Sequence, residues 1–255
     1  MHNSGTAIGI FDSGIGGLTV LDACRRALPG IQYLYYGDNP NAPYGEKSGE
    51  EILRLVRRGV GELRSAGAEA VVLACNTATA VCAEILRSEC PFPIVGMEPA
   101  VKPAGKNCRR VLVLATPRTA ESARLHALVK GAGQGAFTVC PAPRFAGAIE
   151  RALTCGESLT LSDHLPRGEY DGVVLGCTHY IYFDREIGDF YGAQVFDGVF
   201  GTANRLRNLI ENGMIGTRDH RRPVVQTVQK GVTFLGEGAK INNKLYNTNK
   251  RFLNI

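Results

Sequence analysis

Short runs that are apolar at nearly every position alternate along this chain with longer stretches of helical period. The short runs cover residues 7–11, 32–36, 70–74, 94–97, 111–115, 137–140 and 172–175. Unbroken apolarity over so few residues predicts strands that are covered on both faces. Between them, residues 18–27 follow a glycine loop, and residues 49–65 set Ile52, Leu53, Val56, Val60 and Leu63 on one helical face. Residues 77–88 and 119–130 carry the next helical patterns. Strands alternating with helices in this way predict a parallel α/β architecture. The pattern weakens after Gly213, where residues 224–228 read as an edge strand and residues 242–249, rich in turn formers, read as partly loose.

The pattern also repeats. Ala-Val-Val-Leu-Ala-Cys75-Asn-Thr has a counterpart in Gly-Val-Val-Leu-Gly-Cys177-Thr-His, at an offset of 102 residues. Ile8-Gly-Ile-Phe-Asp12 matches Val111-Leu-Val-Leu-Ala115 at an offset of 103. Two landmarks at nearly one offset predict two pseudo-symmetric parallel-sheet α/β domains. Pro99 and Pro103 punctuate the passage between them. The expected division is residues 1–98 with a C-terminal return of 207–255 as one domain, and residues 99–206 as the other.

Composition narrows the class. The chain has 255 residues, 44% of them hydrophobic and 21% charged, a globular profile with room for two such units. No stretch approaches the roughly 18 apolar residues of a membrane span, and residues 1–10 lack the basic start and apolar run of an export signal. The expectation is a cytoplasmic protein with no membrane partner. Eight cysteines in such a compartment read as free thiols, and none lies in the close C-x₂₋₄-C pairing that zinc favours. The net charge of +5 is uneven. From residue 218 onward there are eight Lys/Arg and two Asp/Glu, leaving 21 basic against 22 acidic residues upstream. A basic tail can bind nucleic acid, but no recognition module accompanies it, so a solvated surface is expected and no nucleic-acid partner.

Ligands of parallel sheets bind beyond the carboxyl ends of the strands. Asp12-Ser13, Asp38, Cys75-Asn76-Thr77, Thr116 and Cys177-Thr178-His179 all follow predicted strands immediately. If the two units face each other, Cys75 and Cys177 flank one shared cleft. Two thiols across a cleft suit the inversion of a carbon stereocentre without a cofactor. One thiolate removes the proton from one face and one thiol returns a proton to the other. Each cysteine begins a strand-to-helix turn, where a helix N-terminus favours a thiolate or a bound carboxylate. His179 and Asp12 stand where proton partners would be needed. Cys24, Cys82, Cys90, Cys108, Cys140 and Cys155 read as packing residues. The loop Asp12-Ser-Gly14-Ile-Gly16-Gly17 leaves a second reading open, a phosphate cradle with Asp38 as ribose acid and hence a nucleotide-binding regulator. Against it, G-x-G-x-x-G would require a glycine where Thr19 stands.

Five motifs resemble bacterial glutamate racemase: Phe-Asp12-Ser-Gly-Ile-Gly-Gly-Leu-Thr, Tyr-Gly-Asp38-Asn-Pro-Asn-Ala-Pro-Tyr44-Gly45, Ala-Cys75-Asn-Thr-Ala-Thr-Ala, Glu98-Pro-Ala-Val-Lys-Pro-Ala and Leu-Gly-Cys177-Thr-His-Tyr. They occur in that family's order over residues 7–205. The resemblance implies interconversion of L- and D-glutamate without a cofactor or metal, supplying D-glutamate for peptidoglycan. It implies that Cys75 deprotonates D-glutamate and Cys177 deprotonates L-glutamate, with Asp12 and His179 assisting. It places Asp12, Ser13, Tyr44, Gly45, Asn76, Thr77, Thr178 and His179 around the substrate, with Glu150 in support. It also implies a homodimer whose C-terminal segment returns to the first domain. Family members activated by a cell-wall precursor often carry an extended N-terminus, so no such activation is expected here. The sequence departs from the family at Ile181-Tyr182, where Pro and a leucine-like residue usually stand, and at Asp197-Gly-Val-Phe-Gly-Thr-Ala. An aspartate or other acidic amino-acid racemase is the neighbouring alternative.

Overall fold

The computed structural model describes residues 7–133, 135–216 and 232–248. The first half runs β1 (Ala7–Asp12), α1 (Leu18–Ala27), β2 (Gln32–Gly37), α2 (Gly49–Ser65), β3 (Ala68–Leu73), α3 (Asn76–Glu89) and β4 (Ile94–Gly96). The second runs α4 (Val101–Asn107), β5 (Arg110–Ala115), α5 (Pro117–Ala120), α6 (Ala123–Lys130), β6 (Ala136–Pro141), α7 (Phe145–Cys155), β7 (Gly172–Gly176), α8 (Asp184–Tyr191) and β8 (Gln194–Phe196). Then follow α9 (Val199–Glu211), β9 (Val232–Leu235) and α10 (Ala239–Thr248). All paired strands are parallel. One sheet has the order β4-β3-β1-β2-β9 and the other β6-β5-β7-β8. Read from the opposite edge, the second sheet repeats the first four strands of the first.

The register confirms the repeat residue by residue. Phe11 pairs with Leu73, and Leu114 pairs with Leu175. Asp12 lies beside Gly37 as Ala115 lies beside Pro141. Asp12 and Ala115 are therefore equivalent positions, and so are Leu73 and Leu175, each two residues before its cysteine.

The apolar runs are explained by two-sided cover. In β1, Ile8 and Ile10 enter one buried cluster while Ala7 and Phe11 enter another beneath α2 and α3. In β5, Leu112 and Leu114 alternate in the same manner with Val111, Val113 and Ala115. The first of these clusters also takes Val72, Val173 and Leu175, so a single apolar layer runs across both sheets. α4 packs on the second sheet, whereas α9 packs against α1 as one continuous helix through residue 206. β9 then joins the edge of the first sheet beside β2.

Some local expectations change. The helix expected over residues 119–130 is two, because Ser122 takes an extended conformation and its hydroxyl caps Leu125 N–H at 3.1 Å. On α2 it is Leu55 and Gly59, with Ile52, Val56, Val60 and Leu63, that form the buried face, and Leu53 is only half-buried. Residues 242–248, expected to be partly loose, belong to α10. Tertiary contact overrides their weak helix propensity: Tyr246 packs on Phe234 and bonds to Arg25, and Asn242 is fully buried. The edge strand expected over residues 224–228 lies outside the described residues. Among the described residues no helix is long and apolar enough to cross a membrane.

Candidate active site

The carboxyl ends of β1, β3, β5 and β7 bring the two sheets into contact. Asp12, at the end of β1, is fully buried and accepts Gly14 N–H at 3.0 Å. Its other oxygen accepts the Thr178 hydroxyl at 3.3 Å, a bond between the two units. A Cβ at Gly16 would strike the Thr178 side chain, so this approach needs glycine there. The glycine loop is clamped from both units. Tyr35 donates to the Gly14 carbonyl at 2.8 Å, and Tyr182, which follows β7, donates to the Ile15 carbonyl at 2.7 Å. With residues 12–18 buried in this way, the loop offers no open phosphate cradle.

The two cysteines sit at equivalent strand ends but in different settings. Cys75 is the N-cap of α3, and its Sγ accepts Ala78 N–H at 3.4 Å. Burial pushes this thiol up to about 11, and the Asp12 charge adds to the effect. The Ser13 hydroxyl and the Ala78 amide act in the opposite direction. Cys177 does not open an α-helix as the sequence suggested. A 3₁₀ turn, Thr178–Phe183, follows it. Tyr180 and Tyr182 are buried here and tied by their hydroxyls to Ala142 and Ile15, which holds this aromatic segment out of a regular helix. The Sγ of Cys177 instead faces His179 Nδ1 at 3.8 Å.

His179 is buried and forms an ion pair through Nε2 with the Glu150 carboxylate. Burial alone would favour the neutral ring, but the adjacent carboxylate wins and raises His179 well above its ordinary value. The protonated ring then offers Nδ1–H to Cys177, so negative charge forming on that sulfur meets a donor. Asp12 lies on the other side, where its burial raises it above the usual carboxylate value while the His179 charge pulls it down.

The remaining positions sort clearly. Thr77 Oγ1 lies 2.9 Å from Thr116 Oγ1 and 3.1 Å from Thr119 Oγ1, which makes a buried cluster of three hydroxyls between the units. Asn76 is buried with neither its amide nitrogen nor its oxygen bonded among the described residues. Leaving such a group unsatisfied costs about 1–3 kcal/mol, which marks it as reserved for a polar ligand. Gly45 lies against Thr116, and its carbonyl accepts Arg118 N–H at 3.0 Å across the cleft. Tyr44 and Asp38 turn to each other instead, with a 2.6 Å bond. Asp38 also takes Arg58 and Asn41 at 2.9 Å each, so its carboxylate is spent on holding this segment. Thr119 escaped the sequence reading, although its position one turn beyond Thr116 in Thr-Pro-Arg-Thr places both hydroxyls on one side. Among the described residues no three His, Cys, Asp or Glu side chains are grouped to hold a metal, and all eight cysteines are free.

The two thiols stand at equivalent strand ends, each with polar partners from its own unit. Residues 8–206 match the family described as Asp/Glu/hydantoin racemase. The chain belongs to that family. A glutamate racemase of Halothermothrix orenii is 42% identical over 217 residues, covering 80% of this chain and 84% of that one. A glutamate racemase of Clostridium novyi is 35% identical with 97% of each chain covered. Among solved structures, the Escherichia coli glutamate racemase in complex with L-glutamate and the activator UDP-MurNAc-Ala superposes with a TM-score of 0.80 at 28% identity. That match covers 98% of this racemase-family chain and 96% of the other. The two-sheet architecture is thus that of solved glutamate racemases.

Proposed function

We propose that this enzyme is a glutamate racemase that interconverts L- and D-glutamate by two-base proton transfer, with no cofactor. The observation that carries the reading is the pair of thiols at equivalent ends of β3 and β7, each with its own partner: Ser13 and the N-terminus of α3 for Cys75, the His179–Glu150 pair for Cys177. In the L-to-D direction the Cys177 thiolate takes the α-proton. The electron pair remains on the α-carbon, and the Cys75 thiol gives its proton to the opposite face. The enzyme is left with a Cys177 thiol and a Cys75 thiolate, the form that acts on D-glutamate, and exchange with water resets it.

Asn76 and the hydroxyls of Thr77, Thr116 and Thr178, with Ser13, supply donors for the two carboxylates. Asp12 and the Asn76 amide oxygen supply acceptors for the ammonium. Tyr44 and Asp38 brace the Tyr44–Gly45 wall. The family role extends the reading to supply of D-glutamate for peptidoglycan in the cytoplasm. The test is circular dichroism of L-glutamate in D₂O with purified enzyme and no pyridoxal phosphate. Loss of the optical signal with deuterium appearing at the α-carbon supports the reading. An unchanged signal with a folded, reduced sample removes it, and turnover of aspartate instead would move the substrate but keep the chemistry.

A further inference from the structure

A run of side-chain amides leads from the C-terminal helix to the cleft. Glu150, on α7, meets His179 with Oε2 and accepts Asn39 Nδ2–H on Oε1 at 3.0 Å. Asn39 in turn presents its Oδ1 to Asn242 of α10, whose Nδ2–H donates at 2.8 Å. The directions are forced. An ionised carboxylate only accepts, so Asn39 must show Glu150 its NH₂, and its oxygen is left for a donor. The seat of Asn242 is built rather than incidental. Its side chain is fully buried, a Cβ at Gly37 would run into Asn242 Nδ2, and a Cβ at Gly238 would strike Asn39 Oδ1.

Glu150 has reason to need such a brace. A glutamate side chain carries three rotatable bonds, and one contact to His179 leaves the carboxylate free to swing about it. A second bond on the other oxygen fixes the plane. We propose that Asn39, oriented by Asn242, is a positioning residue for the Glu150–His179 pair, and so acts on proton transfer at Cys177 rather than at Cys75. This rests on the two-thiol racemase reading above.

The prediction is directional. Loss of the brace slows the Cys177 step and leaves the Cys75 step alone. With α-deuterated L-glutamate, abstraction by Cys177 becomes more rate-limiting and the isotope effect on kcat/KM rises. With α-deuterated D-glutamate, abstraction by Cys75 becomes less limiting and the isotope effect falls. In Asn39→Ala, kcat drops about ten-fold with KM within about two-fold, the scale of one hydrogen bond to a charged group. Asn242→Ala moves both isotope effects the same way by less, and the double variant is no slower than Asn39→Ala alone, because the two residues act in series.

Asn39 is part-exposed in a turn, so its variant tests the idea without loss of fold. Isotope effects that move together in both directions, or stay at the wild-type values, overturn the proposal. A second readout does not need turnover: the His179 Nε2–H proton resonance, assigned by its absence from His179→Gln, shifts upfield in Asn39→Ala as its bond to Glu150 loosens. Should wild-type enzyme leave glutamate untouched, the racemase reading fails by itself. The His179 resonance still decides the positioning role, and an unmoved signal ends it.

Discussion

Cys75 and Cys177 hold equivalent strand positions, yet their surroundings differ in charge, and the difference is testable. Burial pushes Cys75 up to about 11 and the Asp12 carboxylate adds to this, while Cys177 faces the His179 ring. To act on D-glutamate, Cys75 must first lose its proton, so kcat/KM in that direction must rise with pH across the neutral range. We expect a climb from pH 6 to pH 9 that approaches about ten-fold per unit on its steepest part. A rate that declines steadily from pH 6 would contradict the assignment. His179 gives the complementary case. Glu150 raises it against the pull of burial, so in Glu150→Gln the ring should titrate lower than in the wild type, with only the Cys177 contact and the nearby Asp12 left to oppose burial. Proton NMR of the ring carbons in the two proteins reads this directly. Either thiol is also essential in its own right. Cys75→Ser and Cys177→Ser should each lose about 10²–10⁴-fold in racemisation, measured by circular dichroism, because each removes the acid/base of one face.

At the scale of elements, Cys75 has a second task as the N-cap of α3. The two roles separate by substitution. Serine is a good cap, so Cys75→Ser should melt with the wild type although it is inactive, whereas Cys75→Ala loses the cap and about 1 kcal/mol of stability. Urea denaturation of the three proteins checks this, and a Cys75→Ser variant as unstable as Cys75→Ala would show that the sulfur contributes by packing rather than capping. The same elements show what was legible in the sequence. β1, β3, β5 and β7 are readable because cover on both faces leaves an unbroken apolar run, and their nearly common offset carries the repeat in the sequence itself. The site followed, since the residues just past those strands carry the reactive groups. What hid was anything decided by distant contacts. The 3₁₀ turn after Cys177 depends on where Tyr180 and Tyr182 find acceptors, and Thr119 matters only because Thr77 lies opposite. The order of α10 depends on Arg25 and Asn39, remote in sequence from Tyr246 and Asn242, and no local pattern announces it.

The whole molecule is drawn shut around its chemistry. Thr178 to Asp12, Tyr182 to Ile15, Asn39 to Glu150, Arg118 to Gly45 and Arg144 to Glu46 all bond across the line where the two units meet. Cys75 and Cys177 are only 5% and 7% exposed, while Cys155 is open to solvent. A reagent can reach the two cleft thiols only as these cross-bonds part, whereas Cys155 needs no motion at all. Iodoacetamide followed by peptide mass spectrometry should therefore modify Cys155 first and the cleft thiols much later. Glutamate adds a second control. A ligand that binds the folded, closed form stabilises it by about 2.7 kcal/mol at a hundred times its dissociation constant. Saturating D-glutamate should therefore slow alkylation of Cys75 and Cys177 about a hundred-fold if every reactive opening must release it, and leave Cys155 at its original rate. If Cys24, buried away from the cleft, were protected alike, glutamate would be stabilising the fold at large. Protection confined to Cys75 and Cys177 would place the ligand between them, where opposite faces of one carbon can be reached by two sulfurs.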